Sequence, residues 1–341
     1  MASGPSFLAG RAPRLVPRVP EPVLGLISAG TEPVRQKLLA GIIGVLTDGD
    51  PLEDSDPAAD YRGPAGDPGL FGPDSMTWRV HADGPSMMIA GVAALMLQTL
   101  HPMVMAGVEE HSNYKEDPLG RLQRTGEFVG AVTFAGMPAA EQAISIVRKV
   151  HQRVVGTAPD GRAYDANDPD LLCWVHTTEY AMFLRSYQLH AGRRLTRSQQ
   201  DQYLAEVAEV AYRLGATWVP RTRDELEAYF RRIRSELYCG PQARGTLQFL
   251  QRGAFDDPAA SAVYQIIQRS AQATLPSWAR QMCGLDLPPV IGPVAEAVTL
   301  RPATEAFVRT FRWILGDSPQ LDAARERTAH PRARVRAAGA A

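Results

Sequence analysis

Residues 86–108 read SMMIAGVAALMLQTLHPMVMAGV, one of the most apolar runs in the chain, and residues 109–128 follow it with EEHSNYKEDPLGRLQRTGEF, dense in polar chemistry. The apolar run is long enough to span a bilayer, for which about 20 residues suffice. It also contains Gln98, His101 and a mid-run Pro102. Proline removes the backbone bond to the carbonyl of residue 98 and kinks a helix at that point. The run therefore reads as a central buried helix, 86–110, bent at Pro102, with no integral membrane span. Its kink turns polar side chains inward, and interior polar groups need partners.

Outward from this helix the pattern stays helical. Asp117-Pro118, Asp168-Pro169 and Ser318-Pro319 each set a capping residue before a proline at the first helical position. Thr196-x-x-Gln199 and Thr222-x-x-Glu225 read as capping boxes. Alternating β-type runs are scarce. The spacing predicts helices near 34–47, 86–110, 118–134, 138–155, 169–191, 197–214, 223–237, 242–252, 259–282, 303–315 and 319–328, an all-α domain with no internal repeat. Residues 48–77, rich in Asp, Pro and Gly, read as a long surface loop. Residues 1–30 read as a disordered arm, 31–328 as one helical domain, and 329–341 as a flexible basic tail; the whole stretch RERTAHPRARVRAAGAA reads as frayed and solvated.

With 341 residues, 45% hydrophobic and 21% charged, the chain can bury a large core, and its formal net charge of −1 argues against nucleic acid as a partner. Cys173, Cys239 and Cys283 are odd in number and far apart, without a CxxC pattern. They indicate neither a disulfide framework nor a cysteine zinc site, and fit a reducing compartment, the cytoplasm. No secretory leader pattern occurs in the first twenty residues.

Three groups carry candidate chemistry. His151 lies in AISIVRKVHQRVVG with Val147, Val154 and Val155 as its helical neighbours, so it is either a hydrogen-bonded core histidine or a metal ligand on an apolar wall. His176 in DPDLLCWVHTTEYAMF presents the same choice, with Glu179 and Tyr180 offering an internal hydrogen-bond network. Arg121, Arg124 and Thr125 project from one helix face within two turns of Pro118, as an anion site or as a solvated basic stripe. No histidine has an acid three residues before it, no two histidines are four apart, and GxGxxG, P-loop and GxSxG patterns are missing.

In combination, GVAALMLQTLHPMVMAGVEEHSNYKEDPLGRLQRTGEF followed by VHQRVVGTAPDGRAYDANDPDLLCWVH resembles domain-of-unknown-function family 2236, the oxygenase-like family that includes rubber oxygenase (latex clearing protein) and the fungal MpaB-type oxygenases. The family's LLQ-x-x-HP, GV-x-x-HS, DP-x-x-RL-x-x-T, H-x-x-V-x-G, Y-x-A-x-DP and WVH steps occur here in order over residues 84–190, with a weaker likeness towards residue 320. The resemblance implies a globin-like core of about ten helices holding a b-type haem, with a single histidine on the iron. The matching residue is His151. Arg121, Arg124 and Thr125 match residues lining the family's haem pocket, where they would pair propionates or polarise oxygen.

His101, His111, Glu109 and Glu110 would stand at the pocket edge, and His176 beside the cofactor. Rubber oxygenase has a lysine where this chain has Arg124; a guanidinium stays charged and cannot readily cap the iron. The membrane anchor appended in MpaB-type proteins is not expected here. The function implied is a haem-dependent oxygenase or oxidase acting on an apolar small molecule, with dioxygen as co-substrate. A haem carrier or sensor without turnover, and a helical scaffold without cofactor, are the alternatives.

Overall fold

Proline opens most of the helices. The computed structural model describes residues 61–253, 258–286, 299–316 and 318–329. Among these, thirteen α-helices run in the order α1 (Met76–His81), α2 (Gly84–Gln98), α3 (Pro102–His111), α4 (Pro118–Phe134), α5 (Met137–His151), α6 (Pro169–His190), α7 (Arg197–Leu214), α8 (Arg223–Ile233), α9 (Pro241–Arg252), α10 (Pro258–Thr274), α11 (Ser277–Cys283), α12 (Arg301–Leu315) and α13 (Pro319–Ala329). A small antiparallel hairpin, β1 (Val155–Thr157) with β2 (Ala163–Asp165), separates α5 from α6 in Val155↔Asp165 register. The fold is all-α. The expected helix 34–47, the arm 1–30 and residues 330–341 lie outside the described residues.

The caps follow the sequence signals. Asp117 accepts from Gly120 N at 2.9 Å, Asp168 from Asp170 N at 2.8 Å, and Ser318 from Leu321 N at 3.1 Å. At Thr196 both halves of the capping box form, with Gln199. Each such bond satisfies an amide that the first turn leaves without a helical partner.

The greasy helix of the sequence is two helices, not one kinked helix. α2 and α3 meet at 107°, separated by residues 99–101. Pro102 begins α3 with His101 as its N-cap, a position where the missing amide costs nothing. The corner is held from outside: Trp174 Nε1 donates to Gln98 O at 3.3 Å and Tyr238 N to Leu100 O at 3.0 Å. α2 lies along α6 as the most extensive helix pair, with α10 and α12 also against it. Ile89, Ala90, Ala93 and Leu97 of α2 and Trp174, Ala181 and Leu184 of α6 are fully buried there. Among the described residues no single helix is long and apolar enough to cross a membrane; the bent pair α2–α3 passes that test only as a pair.

Other expectations need correction. Helix 138–155 stops at His151, a turn follows at Gln152–Arg153, and Val155 opens the hairpin. Helix 223–237 ends at Ile233 in a short 3₁₀ turn, and 259–282 divides at Pro276 into α10 and α11. Residues 61–75 are not a loose surface loop. Arg327 of α13, 1% exposed, donates to Tyr61 O at 2.5 Å, Asp67 O at 2.8 Å and Phe134 O at 2.8 Å, while Gly66 N donates to Arg327 O at 2.7 Å. Gly69 sits at φ 67° with a Cβ position that the Ala135 carbonyl already occupies, so only glycine fits. Arg325–Ala329 is therefore helix packed on the domain rather than frayed tail.

Candidate active site

A two-residue connection, Ala135–Gly136, folds α5 back against α4, and so short a link makes the two antiparallel. The start of α4, with Arg121, Arg124 and Thr125, and the end of α5, with His151, thus lie at the same end of the helical hairpin. α3 closes this end. Gly107 leaves room for Val154 and Tyr164, whose side chains would stand 3.5 Å and 3.3 Å from a Cβ there. His111 Nε2 meets Val155 O at 3.2 Å, and Tyr164 donates to Glu110. Arg121 reaches the same helix end by donating to Ser112, its C-cap.

His151 is half-buried, and its Nδ1 is buried with no hydrogen-bond partner among the described residues. Burial lowers its pKa, against the nearby Asp165 carboxylate, which raises it. A neutral imidazole with an unmet nitrogen is what a metal or a polar ligand would complete. Ile146 and Val150, within the preceding turn and a half, are 53% and 54% exposed, Val155 is 48% and Leu122 of α4 is 40%. These aliphatic groups are uncovered at the hairpin end that carries His151.

The remaining sequence candidates separate. Arg124 is exposed and ion-paired with Asp117 at 3.2 Å. Thr125 is exposed, its hydroxyl donating to Arg121 O at 3.0 Å. His101 and His111 sit at opposite ends of α3, roughly 15 Å apart by helical rise. His101 is buried 6.0 Å from the Trp174 ring, its Nδ1 unpartnered and its pKa lowered to about 4, chiefly by burial. His176 packs 4.4 Å from Tyr180, and burial lowers it to about 3.

Sequence reasoning missed an interior polar group beside His176. His81 binds Thr133 Oγ1 at 2.8 Å and Tyr203 OH at 3.0 Å, and stacks on Tyr180. It lies in α1, a helix the periodicity did not reveal. Glu179 has no hydrogen-bond partner among the described residues, and burial raises it to about 7.

Between α2, α3, α4 and α9 lies a mainly apolar cavity of about 70 Å³, walled by Leu95, Val104, Val108, Phe249 and Leu250 with Arg121 and Tyr114. A wider open groove of about 490 Å³ between α5 and α7 is lined by charged residues such as Arg148, Lys149 and Arg213, and contains none of the candidates.

The family model described as ER-bound oxygenase mpaB/B'/Rubber oxygenase, catalytic domain, matches residues 78–313. The chain belongs to this oxygenase family. The match begins in α1 and ends in α12, so it takes in every candidate residue and nearly all of the helical core. No curated protein and no solved structure matches the chain. Membership makes it an oxidoreductase of the oxygenase class with a small-molecule substrate.

The haem implied by this family can be tested against the residues present. Among the described residues no three histidines, cysteines or acids gather as a metal site. A haem iron needs only one protein nitrogen, because the macrocycle supplies four. The half-buried imidazole of His151 with its orphaned nitrogen, the uncovered aliphatic groups at its end of the hairpin and the Arg121 guanidinium match that donor set. The 70 Å³ cavity does not match the macrocycle, since pockets for ligands of that size run to about 300–1,000 Å³. His151 and the uncovered aliphatic groups fit at the hairpin end, outside that cavity, and Arg121 stands between the two, since it also lines the cavity wall.

Proposed function

We propose that the protein is a b-type haem-dependent oxygenase acting on an apolar small molecule with dioxygen, with His151 as the iron ligand. The observation that carries this reading is the orphaned, buried Nδ1 of His151, in a member of an oxygenase family. When bound, the haem would supply the redox chemistry that no side chain possesses. Burial keeps His151 neutral at physiological pH, so its nitrogen lone pair is available without loss of a proton. Arg121, tied to Ser112, holds a positive charge where a carboxylate or developing anion would gain most from it. The exposed aliphatic side chains Leu122, Val150 and Val155 offer apolar surface that a bound haem would cover. Three free thiols accord with a reducing, cytoplasmic setting.

The test is reconstitution with hemin, read as a Soret absorption band, followed by oxygen-dependent product formation. The wild type gains the band and His151→Ala loses most of it. A wild type that stays colourless after hemin addition ends the haem reading, and a coloured protein without oxygen-dependent product is a carrier rather than an enzyme.

A further inference from the structure

The small cavity between α2, α3, α4 and α9 has an unbalanced chemistry. Its walls are mainly aliphatic and aromatic, and its polar lining is satisfied internally with one exception. Gln98 donates to Val175 O at 3.3 Å, Thr99 to Met96 O at 2.8 Å, and Thr246 to Gln242 O at 3.0 Å. Tyr114 donates to Glu109 at 2.8 Å and meets Thr246 at 2.8 Å. The exception is Arg121. Its guanidinium has five N–H donors, and among the described residues it uses one recorded partner, the neutral hydroxyl of Ser112.

The acids around it are committed. Glu109 is held by Tyr114 and Lys115, Glu110 by Tyr164, and Asp117 by Gly120 N and Arg124. Arg121 is consequently a half-buried cation without a counter-ion on the wall of an apolar pocket. Its planar fork matches a carboxylate or a phosphate through two parallel N–H bonds, and the mainly apolar walls beside it favour a singly charged carboxylate on an aliphatic chain. The cavity limits what the carboxylate can carry. At about 70 Å³ it has room for a short aliphatic chain, not for a ring system.

We propose that this cavity, with Arg121, is the recognition pocket for a short-chain aliphatic monocarboxylate, the carboxylate on the guanidinium and the chain among Leu95, Val104, Val108 and Phe249. The inference deepens the oxygenase reading by giving its apolar substrate a carboxylate head group, and rests on that reading only for the word substrate. A haem propionate is the other source of a carboxylate near Arg121, so the test includes protein in both cofactor states.

Binding of hexanoate, hexanol and hexylammonium is measured by titration calorimetry on haem-free and on hemin-treated protein. Hexanoate binds most tightly, about tenfold to a hundredfold better than hexanol, the increment of one charge-assisted bond pair. Hexylammonium does not bind. Arg121→Gln brings hexanoate down to the level of hexanol and leaves hexanol unchanged, and Val108→Phe, which fills the cavity, weakens both.

Equal affinity for hexanoate and hexanol in the wild type overturns the proposal without any variant. So does hexanoate binding that Arg121→Gln leaves intact, or that hemin abolishes, since the carboxylate held would then be the propionate. A colourless protein that still binds hexanoate in this order refutes the haem reading alone. A haem-loaded protein that ignores hexanoate refutes this pocket alone.

Discussion

Replacing His151 and His176 in turn separates two kinds of buried histidine. His151→Ala should lose most of its haem, whereas His176→Ala should keep it, because His176 is buried against Tyr180, which in turn stacks on His81, while His151 carries the unpartnered buried nitrogen. Equal haem in both variants sinks the assignment. Glu179 allows a test by pH. Burial raises its carboxyl from 4.5 to about 7. Between those values the unfolded chain gives up the proton and the folded chain keeps it, so stability falls as pH rises through that window and the cost is constant above it. Glu179→Gln should match the wild type near pH 4.5 and be more stable by about 1–2 kcal/mol at pH 8, a figure reduced for its partial exposure. Denaturant midpoints at the two pH values decide it; a constant difference would mean that Glu179 is ionised throughout. Apolar neighbours and an Asp-Pro cap drew notice to His151 and Arg121 in the sequence but left each with a purely structural alternative, and the family resemblance singled them out as pocket residues. His81, Thr133 and Tyr203 were not legible, since they meet across three helices at separations no local pattern encodes.

Helices with their own start chemistry came out of the sequence to within a residue: Pro118–Phe134 from Asp117-Pro118 and Arg197–Leu214 from the Thr196 box. Where tertiary contacts decide, sequence reading fell short. The α2–α3 corner is the clearest case, because Pro102 accounts for a kink but not for a 107° turn. The bond from Tyr238 satisfies the Leu100 carbonyl, and Trp174 adds a second donor to the Gln98 carbonyl, which also accepts from His101 N. Pro102→Ala should therefore keep the corner and change stability by less than about 1 kcal/mol, whereas Trp174→Phe should cost about 2–3 kcal/mol through a lost partner and a lost ring volume. Chemical denaturation ranks the two. A larger loss for Pro102→Ala would return the corner to the proline. The hairpin β1–β2 was missed for a similar reason: three-residue strands carry no periodicity, and Tyr164 needs Glu110 and Gly107 of α3 to define its position.

Across the whole molecule the least local interaction is the bond set of Arg327, whose three carbonyl acceptors come from residues 61–75 and the end of α4. Arg327→Met leaves those carbonyls buried without a donor and should cost about 3 kcal/mol or more, against less than about 0.5 kcal/mol for the exposed Arg325→Ala. Limited proteolysis should then cut first within residues 61–75; unchanged resistance there would show that the segment holds without the guanidinium. Arg327 lies 266 residues after Tyr61 in the chain. Translation proceeds at about 5–20 residues per second, so on a ribosome the segment that precedes α1 emerges roughly 15–50 s before the side chain that anchors it exists. For that interval the newborn polypeptide carries an undocked flap beside its oldest helices, and quality control in the cell meets the flap before it meets the finished enzyme.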